Sequence, residues 1–440
     1  MNLPSTALLT DHYELTMLQA SLKSGTAHRK SVFEAFARRL PAGRRYGVVA
    51  GTGRVLEGLQ NFRFLPEQIE FLREKKVVND ETLEYLANFK FSGNVYGYAE
   101  GDIYFPGSPI LIVESTFAEA CILETFILSV LNYDSAVASA ASRMTAAANG
   151  RPCVEMGSRR TQEESAVAAA RAAVIAGFAS TSNLEAGIRY DVLTVGTAAH
   201  SFTLLHDSER EAFEAQVASM GKNTTLLVDT YDVEQGVRTA VEVAGPELGA
   251  VRLDSGDLVD QAQWVRHLLD DLGNKDTRIM VTSDLDEYAI AALQSAPVDA
   301  YGVGTRLVTG SGAPTASMVY KLVSRQGNDG EWVNVAKAAA NKASVGGRKF
   351  ALRRLNDRGR AVAEVIGIGE VPENDGNDRE LLVQFIKDGV LADGWTGAEG
   401  VRRAAQRHHD SVSELPGAAK RLTAGEPVIP TTYLHEDAAN

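Results

Sequence analysis

The sequence is short of the features that would place it outside the ordinary globular class. In 440 residues there are two cysteines, Cys121 and Cys153. Neither belongs to a CxxC pair or a His/Cys cluster, which argues against a disulfide framework or a thiolate zinc centre and leaves two reduced core thiols. Basic charge is scarce as well: 44 Lys and Arg face 57 Asp and Glu, a formal net charge of −13. A bulk charge of that sign repels nucleic acid and anionic membranes as main partners, although an anionic small substrate needs only a local gathering of cations. Long apolar runs are missing. The most apolar stretch, 122–130, carries Glu124 and is far too short to span a bilayer. Residues 1–11 contain neither a basic start nor an apolar segment of signal-peptide length, which predicts a cytoplasmic protein.

What is present is a rhythm. Hydrophobic residues make up 45% and charged residues 23%, as in a folded α/β protein with room for one large domain and a smaller one. Short apolar runs at 153–156, 192–195, 226–228, 250–253, 279–281 and 298–303, with 318–323 as a further candidate, each end in a Gly/Asp/Ser/Thr cluster and lead into a helical stretch. Continuous apolar runs are what parallel strands covered on both faces require. After the fourth run, Leu258, Ala262, Val265, Leu268, Leu269 and Leu272 share one helical face, Asp257 and Asp260 sit in the first turn, and Gly273 ends the helix. Such units give an open doubly wound sheet or a barrel, and six or seven of them favour an irregular (β/α) barrel over residues 111–327, entered through a helix around 123–131. Both chain ends, 1–110 and 328–440, are expected to form a second, smaller α/β domain. It would contain helices at 13–23, 66–75 and 80–89, strands at 30–37 and 92–98, an antiparallel meander at 332–336, 349–355, 361–368 and 380–386, and a basic helix at 397–409.

In βα architectures ligands bind at the C-terminal ends of the strands. The residues there form a chemically coherent set: Gly157, Ser158, Arg159 and Arg160; Gly196, Thr197 and His200; Asp229, Thr230 and Asp232; Arg252, Asp254, Ser255, Gly256 and Asp257; Ser283, Asp284 and Asp286; Gly302, Gly304, Thr305 and Arg306. Singly, each has a plainer explanation. Gly302-Val303-Gly304 is a tight turn, Asp254 to Asp257 a helix cap, His200 an ordinary polar residue, and Arg159-Arg160 a solvated pair. Together they describe an enzyme rim that grips a phosphorylated, hydroxyl-bearing substrate. A Schiff-base aldolase using Lys321 and a non-catalytic phosphosugar-binding protein are the readings from other classes.

At these same positions the sequence resembles the nicotinate phosphoribosyltransferases, of the type II phosphoribosyltransferases. The resemblance rests on Thr10-Asp11-His12-Tyr13-Glu14-Leu15-Thr16-Met17, Glu155-Met156-Gly157-Ser158-Arg159-Arg160, Thr181-Ser182-Asn183, Gly196-Thr197-Ala198-Ala199-His200, Val228-Asp229-Thr230-Tyr231-Asp232, Arg252-Leu253-Asp254-Ser255-Gly256-Asp257 and Gly302-Val303-Gly304-Thr305-Arg306. These run in family order from about residue 10 to 325, with a further Gly-rich basic segment at 342–349.

The resemblance implies joining of nicotinate to phosphoribosyl pyrophosphate in NAD salvage, with ATP as co-substrate, Mg²⁺ on the pyrophosphate rather than in a protein-held metal site, and a homodimer whose active site is shared. It implies that His200 is the histidine that ATP phosphorylates, that Tyr13 and Thr197 contact nicotinate, and that Arg159 is a cation near the substrates. Arg252 would face nicotinate or its phosphoribosyl partner, and Asp254 would hold ribose hydroxyls. Asp229 and Gly256 fall in matched segments as further binding positions, and Gly302, Gly304 and Thr305 would hold the 5-phosphate. Met156 stands where many relatives carry an aromatic residue stacked on the pyridine. Ser182 stands where nicotinamide-using relatives carry aspartate, which predicts a preference for nicotinate. Quinolinate-using enzymes are shorter, release carbon dioxide and need no His200 segment, so they fit less well.

Overall fold

The computed structural model describes residues 4–337 and 344–434. Lys342, in the basic segment noted above, lies outside the described residues. The chain divides into two compact units, Met1–Ser139 with Ala313–Asn440, and Ala140–Gly312.

The second unit is built on a six-stranded parallel sheet in the order Ser180–Thr181, Cys153–Glu155, Ala300–Val303, Arg278–Ser283, Ala250–Leu253 and Thr225–Leu227. At one edge a single parallel bridge joins Thr181 to Thr194. Going round from Thr225–Leu227, each strand lies beside its successor in the chain, and Ala300–Val303 closes back onto Cys153–Glu155. This is the strand order of a barrel opened along one seam, between Thr194 and Thr225–Leu227. The crossovers include Glu163–Ile175, Val233–Ala244 and Leu258–Asp271. In the last of these, Ala262, Val265, Leu268 and Leu269 are buried, and the Asp257 carboxylate accepts from the amides of Val259 and Asp260. That matches the periodic face and the acidic first turn read from the sequence.

Three expectations need correction. The run at 192–195 forms no strand beyond the bridge at Thr194, and its Leu193 and Val195 stay 65% and 39% exposed where a strand covered on both faces would bury them. The run at 318–323 is not a seventh parallel strand. Met318–Gln326 pairs antiparallel with Lys30–Ala37, and its Val319 and Lys321 alternate with buried Met318 and Tyr320 as a two-sided sheet demands. The third is the meander predicted after residue 331, which is split between two sheets.

In the first unit a seven-stranded antiparallel sheet runs Trp332–Asn334, Met318–Gln326, Lys30–Ala37, Leu111–Thr116, Asn94–Tyr98, Leu382–Lys387, Val390–Leu391. A four-stranded sheet contains Arg379–Glu380, Lys349–Leu355, Ala361–Ile368 and Thr431–Leu434. The apolar core gathers Leu15, Leu18, Phe33, Leu56, Phe62, Val113 and Tyr320, among others, with Phe33 stacked on Tyr320 at 5.0 Å. The predicted N-terminal helices are present as His12–Lys23, Pro66–Glu74 and Asp80–Ala87, and the C-terminal one extends over Gly397–Glu414. Cys121 and Cys153 are free and buried.

Candidate active site

Parallel strands deliver their polar ends to one rim, and a cleft of about 460 Å³ opens there. It is lined by Met156, Arg159, Ser182, Thr197, Arg252, Asp254, Asp284, Gly302, Gly304 and Thr305 from the residues predicted above, together with Thr282. Positions scattered over 150 residues of sequence therefore share one wall.

The centre of the cleft is a hydrogen-bonded cluster. Arg252 and Asp254 leave the same strand, and Nη2 of the arginine lies 3.2 Å from Oδ1 of the aspartate. Arg252 Nε donates to Thr282 Oγ1 at 2.9 Å, and Nη1 donates to the Ala198 carbonyl at 3.4 Å. Thr282 in turn donates its hydroxyl to Asp254 Oδ1. Burial works against ionisation of Asp254, but the Thr282 hydrogen bond and the Arg252 charge outweigh it and hold the carboxyl below its ordinary range. It is an anion at neutral pH.

His200 begins the helix His200–Leu205 and is set beside this cluster. Its Nδ1 is 3.1 Å from Thr230 Oγ1, while Nε2 faces Asp254 Oδ2 at 3.7 Å and Asp229 Oδ1 at 3.9 Å. Asp229 is nearly inaccessible, its side chain 1% exposed. Its Oδ2 accepts from the Asp254 amide and the Ser255 hydroxyl, both at 2.8 Å. Asp229 thus braces the 254–255 turn as well as facing the histidine.

Two glycines are dictated by close approach. A Cβ on Gly302 would lie 2.4 Å from Thr282 Cγ2 and 2.8 Å from Met156 Sδ. Gly256 has φ +83°, and a Cβ there would meet Gln261 Nε2 at 2.3 Å. Gly256 shapes the loop after Asp254 and is not among the lining residues of the cleft. Tyr13 belongs to the first unit, on His12–Lys23, and is 44% exposed. Partial burial, with Glu124 and Glu14 nearby, pushes its phenol up to about 12, so it is a neutral hydrogen-bonding group.

Sequence reasoning passed over Thr282 and Glu155. Glu155 ends its strand fully buried. It accepts from the Gly157 amide and the Thr181 hydroxyl, and burial still raises its carboxyl above the usual range. It ties the 156–160 turn to the neighbouring strand. For Glu155 the available signal was a carboxylate ending an otherwise apolar strand, Cys153–Glu155. Among the described residues, no group of three or more His, Cys, Asp or Glu could hold a metal ion, and no helix is long and apolar enough to cross a membrane.

A parallel βα sheet with a cation, a carboxylate and a glycine-rich turn around a cleft, and a histidine beside it, is a set of groups suited to a ligand that carries both phosphate and hydroxyl groups. The comparisons narrow the class. Residues 8–132 match the family model described as nicotinate phosphoribosyltransferase (NAPRTase) N-terminal domain. The chain is 53% identical over 437 residues to a nicotinate phosphoribosyltransferase of Mycobacterium tuberculosis, covering 97% of this chain and 95% of that protein. It is 36% identical to the Bacillus subtilis nicotinate phosphoribosyltransferase, over 80% of this chain and 74% of that one. In fold it is similar to the crystal structure of human nicotinic acid phosphoribosyltransferase, with a TM-score of 0.81 at 24% identity over 96% of this chain and 97% of that one. The chain belongs to the nicotinate phosphoribosyltransferase family.

Proposed function

We propose that this protein joins nicotinate to phosphoribosyl pyrophosphate, giving nicotinate mononucleotide and pyrophosphate for NAD salvage, with ATP consumed through a phosphohistidine at His200. The observation that carries the reading is the meeting of Arg252, Asp254, Ser182, Thr197 and the Gly302–Thr305 turn around one cleft, with His200 against Asp254. Three of the five donors of Arg252 are engaged by Thr282, Ala198 and Asp254, which fixes its plane and leaves two for a ligand.

In this reading the C1–O bond to pyrophosphate breaks, positive charge develops on the ribose ring, and the pyridine nitrogen closes the new C1–N bond. Asp254 holds the ribose hydroxyls, and its negative charge favours the developing cation. Gly302, Gly304 and Thr305 take the 5-phosphate, Arg159 neutralises substrate phosphate, and Met156 packs on the pyridine face. Mg²⁺ bound to the pyrophosphate would neutralise the leaving group's charge.

In the tautomer whose Nδ1–H donates a hydrogen bond to Thr230 Oγ1, the Nε2 lone pair is available to attack the γ-phosphorus of ATP. The Nε2–P bond forms as the bond to ADP breaks. The new phosphoryl group then sits against Asp229 and Asp254. That repulsion makes the P–N bond easy to hydrolyse and suits an energy-coupling step. Exposed Leu9, Tyr13 and Met17 on the first unit, and exposed Leu184, Ile188 and Leu193 on the second, support a homodimer in which the site is shared and Tyr13 reaches nicotinate. The aldolase alternative loses its footing, since Lys321 lies within an antiparallel strand with Nζ 3.4 Å from Glu124 Oε1.

The test is to incubate purified protein with labelled nicotinate, phosphoribosyl pyrophosphate and Mg²⁺, with and without ATP. Mononucleotide should form, and more of it with ATP; no mononucleotide under either condition would overturn the reaction. Label from γ-phosphate should appear as an acid-labile, base-stable adduct that His200→Ala abolishes. Undiminished labelling of that variant would remove His200 from the scheme.

A further inference from the structure

Thr282 is the one residue in the cleft that touches both members of the Arg252–Asp254 pair. It sits near the end of Arg278–Ser283 and is 4% exposed. A hydroxyl buried to that degree is costly unless bonded, and this one is satisfied in both directions. It accepts from Arg252 Nε at 2.9 Å and donates to Asp254 Oδ1. The side chain has little freedom to do otherwise. Its γ-methyl is packed so closely over Gly302 that a Cβ on the glycine would lie 2.4 Å from it. A β-branched residue has few rotamers, and this contact holds the hydroxyl on the opposite side, toward the pair.

We propose that Thr282 is the positioning residue for the phosphoribosyl site, its hydroxyl locking the Arg252 guanidinium and the Asp254 carboxylate into one fixed unit while its methyl packs against the Gly302 turn. The proposal rests on the reaction given above and adds the group that sets its geometry. Arg252 and Asp254 already meet directly, at 3.2 Å, so Thr282 is not needed to neutralise them. What it adds is direction. The Nε–Oγ1–Oδ1 chain fixes the guanidinium plane and leaves Asp254 Oδ2 on the His200 side, 3.7 Å from Nε2. Since Gly302 lines the same cleft, one side chain links the carboxylate proposed for the ribose with the turn proposed for the phosphate.

The groups that face Asp254 are Arg252 on its own strand end, Thr282 on the adjacent strand, His200 at the start of its helix, and Asp229, which takes the Asp254 amide. Of these, Thr282 supplies a bond that holds the carboxyl in its charged form, so its removal moves the titration of Asp254 upward.

The test uses the full-length enzyme and compares Thr282→Val, near the same shape without the hydroxyl, with Thr282→Ser, which keeps it. Thr282→Val should lose about tenfold or more in kcat/KM for phosphoribosyl pyrophosphate, the size of one hydrogen bond between charged and polar groups. The acid limb of its pH profile should also move to higher pH. Thr282→Ser should remain within about threefold of wild type with the limb in place. Thr282→Ala serves the same purpose should the valine variant fail to fold. Equal loss in the Val and Ser variants with an unmoved acid limb would show a packing role only and overturn the proposal, as would a Val variant within twofold of wild type. Titration of Asp254 by carboxyl-¹³C NMR needs no turnover. A wild type that makes no mononucleotide would refute the reaction, while an Asp254 titration that is the same with and without the Thr282 hydroxyl would refute the positioning role.

Discussion

Arg252 and Asp254 are two residues apart on one strand end, and that spacing is why their side chains meet at 3.2 Å. Successive strand residues point to opposite faces, so 252 and 254 share one side while Leu253, fully buried, points into the apolar layer. The Arg-x-Asp pattern at the end of a buried parallel strand therefore sets a cation and an anion side by side at the rim with no special turn. A pair of this kind is electrically balanced and offers a cation suited to phosphate beside an anion suited to hydroxyls.

Lysine at position 252 should not serve. An ammonium can match the charge of the guanidinium but not its simultaneous contacts with Thr282, Ala198 and Asp254. Loss of charge-assisted bonds of roughly 1.5–3 kcal/mol predicts a fall in kcat/KM of about ten- to hundredfold for Arg252→Lys in steady-state assays. Near-wild-type kinetics would mean that only the charge at 252 matters.

Half-buried Glu209 lies near Asp229 and Asp232, and its Oε1 has no hydrogen-bond partner. Burial, reinforced by the charges of Asp232 and Asp229, raises its carboxyl to about 7. Between its ordinary value and pH 7 the folded state binds more protons than the unfolded chain, so this residue lowers stability progressively as pH rises through that window. Glu209→Gln should therefore raise the melting temperature at pH 8 and have little effect near pH 5. The gain should be about 1 kcal/mol or less after allowance for solvent screening. Equal shifts at both pH values in thermal melts would point to packing instead of charge.

The sequence made the repeating unit legible because parallel strands covered on both faces are mostly apolar, which marked 153–156, 250–253 and 298–303. The site residues followed, since they sit at the ends of those runs. What escaped was set by tertiary context. Ser180–Thr181 is a strand of two polar residues, held by pairing with Cys153–Glu155 and not by any propensity of its own. Leu193 and Val195 look like core residues yet remain exposed at the open edge. Thr282 was passed over because a threonine near a strand end is ordinary until two charged partners are seen on it.

In the first unit, Arg353 and Glu364 form a fully buried ion pair at 2.9 Å. Glu364 also accepts from Tyr98 Oη at 2.8 Å, and Arg353 Nη2 donates to the Ile103 carbonyl at 2.7 Å. Burial raises the Glu364 carboxyl, and the Arg353 charge opposes that rise. Removing the cation leaves a desolvated acid, so Arg353→Ala should cost about 3–5 kcal/mol in urea denaturation. A double variant, Arg353→Met with Glu364→Gln, should recover part of that loss because no buried charge is left unmatched. A single variant within about 1 kcal/mol of wild type would show that water reaches the pair.

Ser182 lines the cleft just after Thr181, with its amide donating to the Glu155 carbonyl at 2.9 Å. That bond fixes the backbone and leaves the hydroxyl to the ligand. A hydroxyl can donate to a pyridine carboxylate, whereas an aspartate at the same point would repel it and accept from a carboxamide instead. A charge-assisted bond of about 1.5–3 kcal/mol corresponds to a preference of about tenfold or greater. Ser182→Asp should therefore lower kcat/KM for nicotinate by about that factor and raise the ratio of nicotinamide to nicotinate use, as measured by competition between the two bases. The sign is set by electrostatics alone. If the aspartate variant kept the wild-type ratio, base choice would have to be made elsewhere in the cleft, with Thr197 the next residue to change.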